Sequence, residues 1–174
     1  MEFVRHFGQE TYQRALKDWA WLDPVSRLTP RFTNAFGDVF LEDASGAFWF
    51  LDTLEGTVKK LWPDTAAMHA ALNTFEAQDM YLAQGLAQSA YQAGLVPEPS
   101  QILSYKISPV IGGSFALDNL EVFDFTLALS ISGQIRSQVR NMPPGTKISG
   151  FSITPPKSPG STPRRRRRIW PRNS

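Results

Sequence analysis

Cysteine is absent from this 174-residue chain, which excludes disulfides, thiol nucleophiles and thiolate metal sites and fits a reducing compartment. Histidine is nearly absent: His6 and His69 are the only two, they are not spaced as a ligand pair, and they read as structural or surface groups. The phosphate-cradling glycine patterns G-x-x-x-x-G-K-[ST] and G-x-G-x-x-G do not occur. Gly112-Gly113-Ser114 is not a nucleophile elbow, because the G-x-S-x-G pattern and its strand–turn–helix setting are both missing. No apolar run reaches the roughly 18 residues of a membrane span. The stretch from Met1 to Trp19 has no basic segment followed by an apolar one. A cytoplasmic, non-enzymatic protein with no cofactor, no bound metal and no small-molecule substrate is therefore expected.

Acid is missing from one end of the chain. Residues 154–174 hold Lys157, Arg164 to Arg168 and Arg172 with no Asp or Glu, and removing these seven cations leaves 11 Lys and Arg against 16 Asp and Glu, a net of −5. The sequence pI near 9.0 thus averages an acidic body with a basic tail. An acidic surface repels nucleic acid and steers basic partners toward itself. The tail, rich in Pro, Gly, Ser, Thr and Arg, is expected to be disordered. What the body does have is apolar: 42% of all residues are hydrophobic, with five Trp and twelve Phe, enough to build a core. One domain over residues 1–153 is expected.

Tyr12, Ala15, Leu16, Trp19 and Leu22 recur at helical spacing and predict a helix over 9–21, ended by Asp23-Pro24. Short β-rich runs at 38–42, 47–51 and 57–62, joined by turn residues, predict an antiparallel meander. Asp64 is placed to cap a helix over 65–72. Asn73 and Glu76 stand in capping-box relation ahead of a helix over 75–93, with Phe75, Leu82, Leu86, Ala90 and Ala93 on one face and Gly94 as its stop. A strand is expected at 102–107 and a turn at 109–113. Phe123, Phe125, Leu127, Leu129 and Ile131 alternate with Val122, Asp124, Thr126, Ala128 and Ser130, the strongest period-2 pattern in the chain and the mark of a long strand. A short helix over 134–140, a turn at Pro143-Pro144-Gly145 and a last strand over 147–153 complete an α+β reading, an antiparallel sheet packed against several helices.

Two chemistries compete with a simple binding role. Asp38, Asp43, Asp52 and Glu55 cluster at the meander turns and would suit a divalent cation, although Asp is also a favoured turn former and the EF-hand spacing is missing. The five arginines with Trp170 suit a small nucleic-acid-associated protein that acts through its tail, or are a solvated or unselected end.

One ordered set of residues is more specific: Trp19 to Leu22, Phe36 to Phe40, Gly46 to Asp52, Gly56, Pro109 to Gly113, Asn119, Gly133 to Ile135, Gln138, Pro143 and Gly145. That order, covering residues 15–151, resembles the family named for the C-terminal domain of type VI secretion immunity proteins, formerly a domain of unknown function. The basic tail is foreign to its pattern. The resemblance implies a protein that binds and neutralises a cognate secreted toxin, a DNase in the founding example. An acidic body suits a basic nuclease partner. On charge and expected exposure, the candidate partner-binding residues are Asp118, Asn119, Glu121 and Asp124, with Gln134 and Gln138 supplying hydrogen bonds.

Overall fold

The apolar runs near residues 40 and 50 form the middle of an antiparallel sheet and are continuous because both faces of that sheet are covered. In the computed structural model, which describes residues 3–143, 145–146 and 150–155, one α+β domain is built on five strands. They are β1 (Val4–Arg5), β2 (Thr29–Asn34), β3 (Val39–Glu42), β4 (Phe48–Asp52) and β5 (Thr57–Trp62), ordered as in sequence with each pair antiparallel. Val39, Leu41 and Leu51 point to a core shared with Tyr12, Trp19, Phe125 and Leu129. Phe40, Phe48 and Phe50 point the other way, onto Trp62, Met68 and Leu82. Neither strand has a face left for water, so neither shows polar alternation.

The expected meander is present as β3 to β5. Strands β1 and β2 were not expected, because β2 contains Pro30 and Arg31, and proline is disfavoured within a sheet. Pro30 is tolerated because β1 pairs only with the far end of β2, at Thr33 and Asn34, leaving the proline outside that ladder.

Helix α1 (Gln9–Ala15) is shorter than expected, and a 3-10 turn over Lys17–Trp19 continues it. Helix α2 (Thr65–Leu72) starts as predicted, with the Asp64 carboxylate accepting from the Ala67 amide at 2.8 Å. The single helix expected over 75–93 is instead two, α3 (Phe75–Leu82) and α4 (Gln84–Gln92), separated by Ala83 at φ 49°. Thr74 rather than Asn73 caps α3, and Phe75 is 76% exposed rather than on the buried face. The elbow lets α3 cover the meander while α4 turns to pack Ala87 and Ala90 on Ala35, Leu103 and Leu120. A left-handed alanine is strained where glycine is not. Ala83→Gly is therefore expected to raise stability slightly, by about 0.5–1 kcal/mol, read as a higher urea midpoint at unchanged m. A lower midpoint would show that the elbow is not strained.

The largest correction concerns the long alternating segment. Only Leu120–Asp124 is strand (β7), paired antiparallel with β6 (Gln101–Tyr105) in a separate two-stranded sheet. Phe125–Val139 is a 15-residue helix, α5, which also absorbs the helix expected at 134–140. Between 125 and 131 the residues not in the apolar series are Thr126, Ala128 and Ser130, small enough to be buried as well, so the pattern fits period 2 and period 3.6 alike. Asp124 breaks the tie by accepting from the Leu127 amide as N-cap. At the turn after α5, the Thr146 amide donates to the Pro143 carbonyl. Of the expected last strand, residues 147–149 lie outside the described residues and 150–153 are not strand. The basic tail from 156 onward also lies outside them.

Candidate functional site

Trp19 and Trp21 set where α5 lies. Their indole N–H groups donate to the carbonyls of Leu129 (2.9 Å) and Gly133 (3.2 Å). A side chain at 133 would begin 2.7 Å from the Asp18 carbonyl oxygen, so only glycine allows this approach. With α5 so placed, the other side of the helix walls a cleft of about 500 Å³. The remaining walls are the end of the meander, the α3–α4 elbow and the β6–β7 hairpin.

Asp38, in the lining of this cleft, ties two turns together. Its carboxylate accepts from the Thr53 amide (2.8 Å), the Thr53 hydroxyl (2.7 Å) and the Asn34 amide (2.8 Å). Burial, helped by the nearby Asp52, raises its pKa above the ordinary carboxylate value, against the pull of those donors. Burial also raises the Tyr105 hydroxyl on the opposite wall, again with Asp38 contributing. Arg136 lies across Gly56; burial lowers the pKa of its guanidinium while Glu55 and Asp52 oppose that shift. Lys106, the other cation of the lining, donates to the Asp118 carbonyl at 2.7 Å. Glu121 lines the same cleft, and its carboxylate has no hydrogen-bond or ion-pair partner among the described residues.

Apolar side chains form the lip. Met80 (71% exposed), Ile107 (56%) and Ile111 line the mouth. Phe115, 63% exposed, stands edge-on to Tyr105. Ile107, Ile111, Phe115 and Leu117 all belong to the segment between β6 and β7, which is braced from inside. Asn119 donates to the carbonyls of Ile107 (2.8 Å) and Ser114 (2.7 Å) and accepts from the Ile107 amide. A Cβ at Gly113 would fall 1.8 Å from the Ile107 carbonyl oxygen, so the expected 109–113 turn brings two backbone segments into close approach.

The six candidate residues therefore have different tasks. Asp118 is exposed on the braced loop, and Glu121 faces the cleft. Asn119 is buried and engaged inside the loop, and Asp124 caps α5. Gln134 and Gln138 each pair through their amides with the backbone of the chain's own extended segment, at Thr154 and Ser152. Missed altogether were the lip residues Met80, Ile107 and Ile111. A cluster of large apolar residues in a loop between two turn signals was the available sign.

The turn carboxylates are occupied by their own turns. Asp43 accepts from the Ser45 hydroxyl, the Trp49 indole and Lys60, which hold its carboxyl well below the usual range, and Asp52 accepts from the Glu55 amide. Among the described residues, no group of three or more His, Asp or Glu is placed to hold a metal ion, and no helix is long and apolar enough to cross a membrane. No family model matches the chain, and no curated protein matches it. Among solved structures it is similar to the crystal structure of Atu4351 from Agrobacterium tumefaciens, at 16% identity and a TM-score of 0.49, over 76% of this chain and 66% of that one.

Proposed function

We propose that this chain is a binding protein of the immunity type, which neutralises a type VI-secreted toxin, in the leading reading a DNase, by covering its basic face. The observation that carries the reading is the braced segment between β6 and β7, which presents Ile107, Ile111, Phe115 and Leu117 to solvent beside the acidic Asp118 and Glu121. Exposed apolar clusters rimmed by charge mark surfaces that bind other proteins. The net charge of −5 over residues 1–153 favours a basic partner and fast, salt-dependent association. The order of glycines and aromatics that resembles the immunity family supports the same reading. Several of these positions are structurally demanding here, Trp19 and Trp21 against Gly133, and Gly113 in the braced loop.

Co-expression with the protein encoded beside this gene tests the proposal. A stable complex is expected, with an association rate that falls as salt is raised, together with protection of cells that express the active partner. Absence of both binding and protection would overturn it.

A further inference from the structure

We infer that the cleft beside the braced loop is the grip of this interface, taking an apolar side chain of the partner between Met80, Ile107 and Ile111 and a neighbouring lysine or arginine against Glu121. The inference rests on the proposed binding role and adds where the partner sits and what chemistry it must bring. The apolar surface does not stop at the cavity: Phe115 and Leu117 continue it outside the lining. That extent suits a protein segment more than an enclosed small molecule, which would be surrounded on most sides.

The charge follows from which groups are already engaged. Asp38 is held by Thr53 and Asn34, Asp52 by the Glu55 amide, and Lys106 by the Asp118 carbonyl. Arg136 makes no hydrogen bond or ion pair among the described residues and its Nε is buried without a partner, but Glu55 and Asp52 are its electrostatic neighbours and offset its charge. Glu121 is left as the cleft carboxylate with no partner of its own among the described residues. A carboxylate at the edge of an apolar pocket gains most from a cation that arrives with its own apolar stem, which describes lysine and arginine. The partner segment is therefore both apolar and basic.

Calorimetric titration of the full chain with a catalytically inactive form of the neighbour-encoded protein tests this. Glu121→Lys and Ile107→Glu are each expected to weaken binding on the order of 30-fold, as expected for central interface positions. Glu10→Lys, an equal charge reversal on the exposed side of α1, should leave affinity within about twofold, since isolated rim charges contribute little. Unchanged thermal midpoints would show that the variants are folded, and Glu121→Gln supplies a milder second variant if one of them is not. If the wild type binds and both cleft variants bind equally well, the cleft assignment fails while the binding role stands. If Arg136→Gln abolishes binding and Glu121→Lys does not, the cleft takes an anion and the inference is overturned. If the wild type self-associates in sedimentation and Ile107→Glu prevents it, the occupant is a second copy, and the inference is again overturned. If the wild type does not bind its neighbour at all, the binding role fails and the inference with it.

Discussion

Trp19→Ala is expected to destabilise the domain by about 3–5 kcal/mol, the range for removing a buried Trp or Phe side chain. Trp19 is fully buried and packs with Tyr12, Phe125 and Leu129. Its indole also satisfies the Leu129 carbonyl at 2.9 Å, so truncation leaves both a cavity and a helix carbonyl that has lost a donor. Domains of this size are stable by only about 5–15 kcal/mol, so about a fifth or more of the margin would go. Gly133→Ala approaches the same contact from the other side. Its new Cβ would lie 2.7 Å from the Asp18 carbonyl oxygen and 3.0 Å from the Trp19 ring, and a penalty of about 1–3 kcal/mol is expected for such overpacking. Urea unfolding of the two single variants and the double variant measures both effects and their coupling. A loss below 1 kcal/mol in Trp19→Ala would mean that α5 is held by something other than this crossing. Because α5 also walls the cleft, both variants are expected to weaken the binding proposed for that cleft.

Removing the Asp38 carboxylate is the second large change. Asp38→Ala leaves the Thr53 amide, the Thr53 hydroxyl and one Asn34 N–H without their acceptor. A loss of about 2 kcal/mol is expected, at the middle of the range for stranded donors because water in the cleft can reach part of the site. Asp38→Asn keeps an acceptor for Thr53 but sets an N–H₂ group against Asn34, and should fall between the alanine variant and the wild type. The pH dependence has a definite sign. The folded-state pKa lies above the ordinary aspartate value of 3.8, so the folded protein holds this proton more tightly than the unfolded chain does. The corresponding stability is fully present below pH 3.8 and is lost as pH rises through the raised folded pKa. Asp43, whose pKa is lowered, acts oppositely: its contribution is present above pH 3.8 and fades as pH falls toward the folded value. The difference between wild type and Asp38→Asn isolates the first effect. The wild type should lose stability relative to the variant as pH rises from about 4, and a flat difference would show that Asp38 titrates as it does in the unfolded chain.

Much of this architecture was legible where local chemistry is unambiguous. The β3 to β5 meander followed from β-rich runs divided by Asp43 to Gly46 and Asp52 to Gly56. The Asp64 cap followed from a carboxylate three residues before a free amide. The stop at Gly94 followed from a glycine closing the helical pattern ahead of Leu95 and Pro97, and the structure holds it at φ 87°, which glycine adopts without strain. Legibility failed where two periods coincide, as between residues 125 and 131, and where a single residue decides, as Ala83 does in dividing α3 from α4. It also failed for β2, whose Pro30 is acceptable only because of which neighbour it lacks. At the site, all six candidates were expected from charge and exposure together, and of these Glu121 lines the cleft and Asp118 is exposed on the braced loop. Asn119, Gln134 and Gln138 carry the same kind of polar group but spend it on the chain's own backbone, a distinction that requires knowing which segments lie alongside.

Composition and order by themselves determined an acidic, aromatic-rich α+β body without cysteine chemistry, because charge, residue type and short-range period are local properties of the chain. Only the tertiary structure decided which polar groups remain unengaged and where a cleft opens. Those depend on α5 crossing closely at Gly133 and on a loop braced by Asn119, contacts between residues that the sequence keeps far apart.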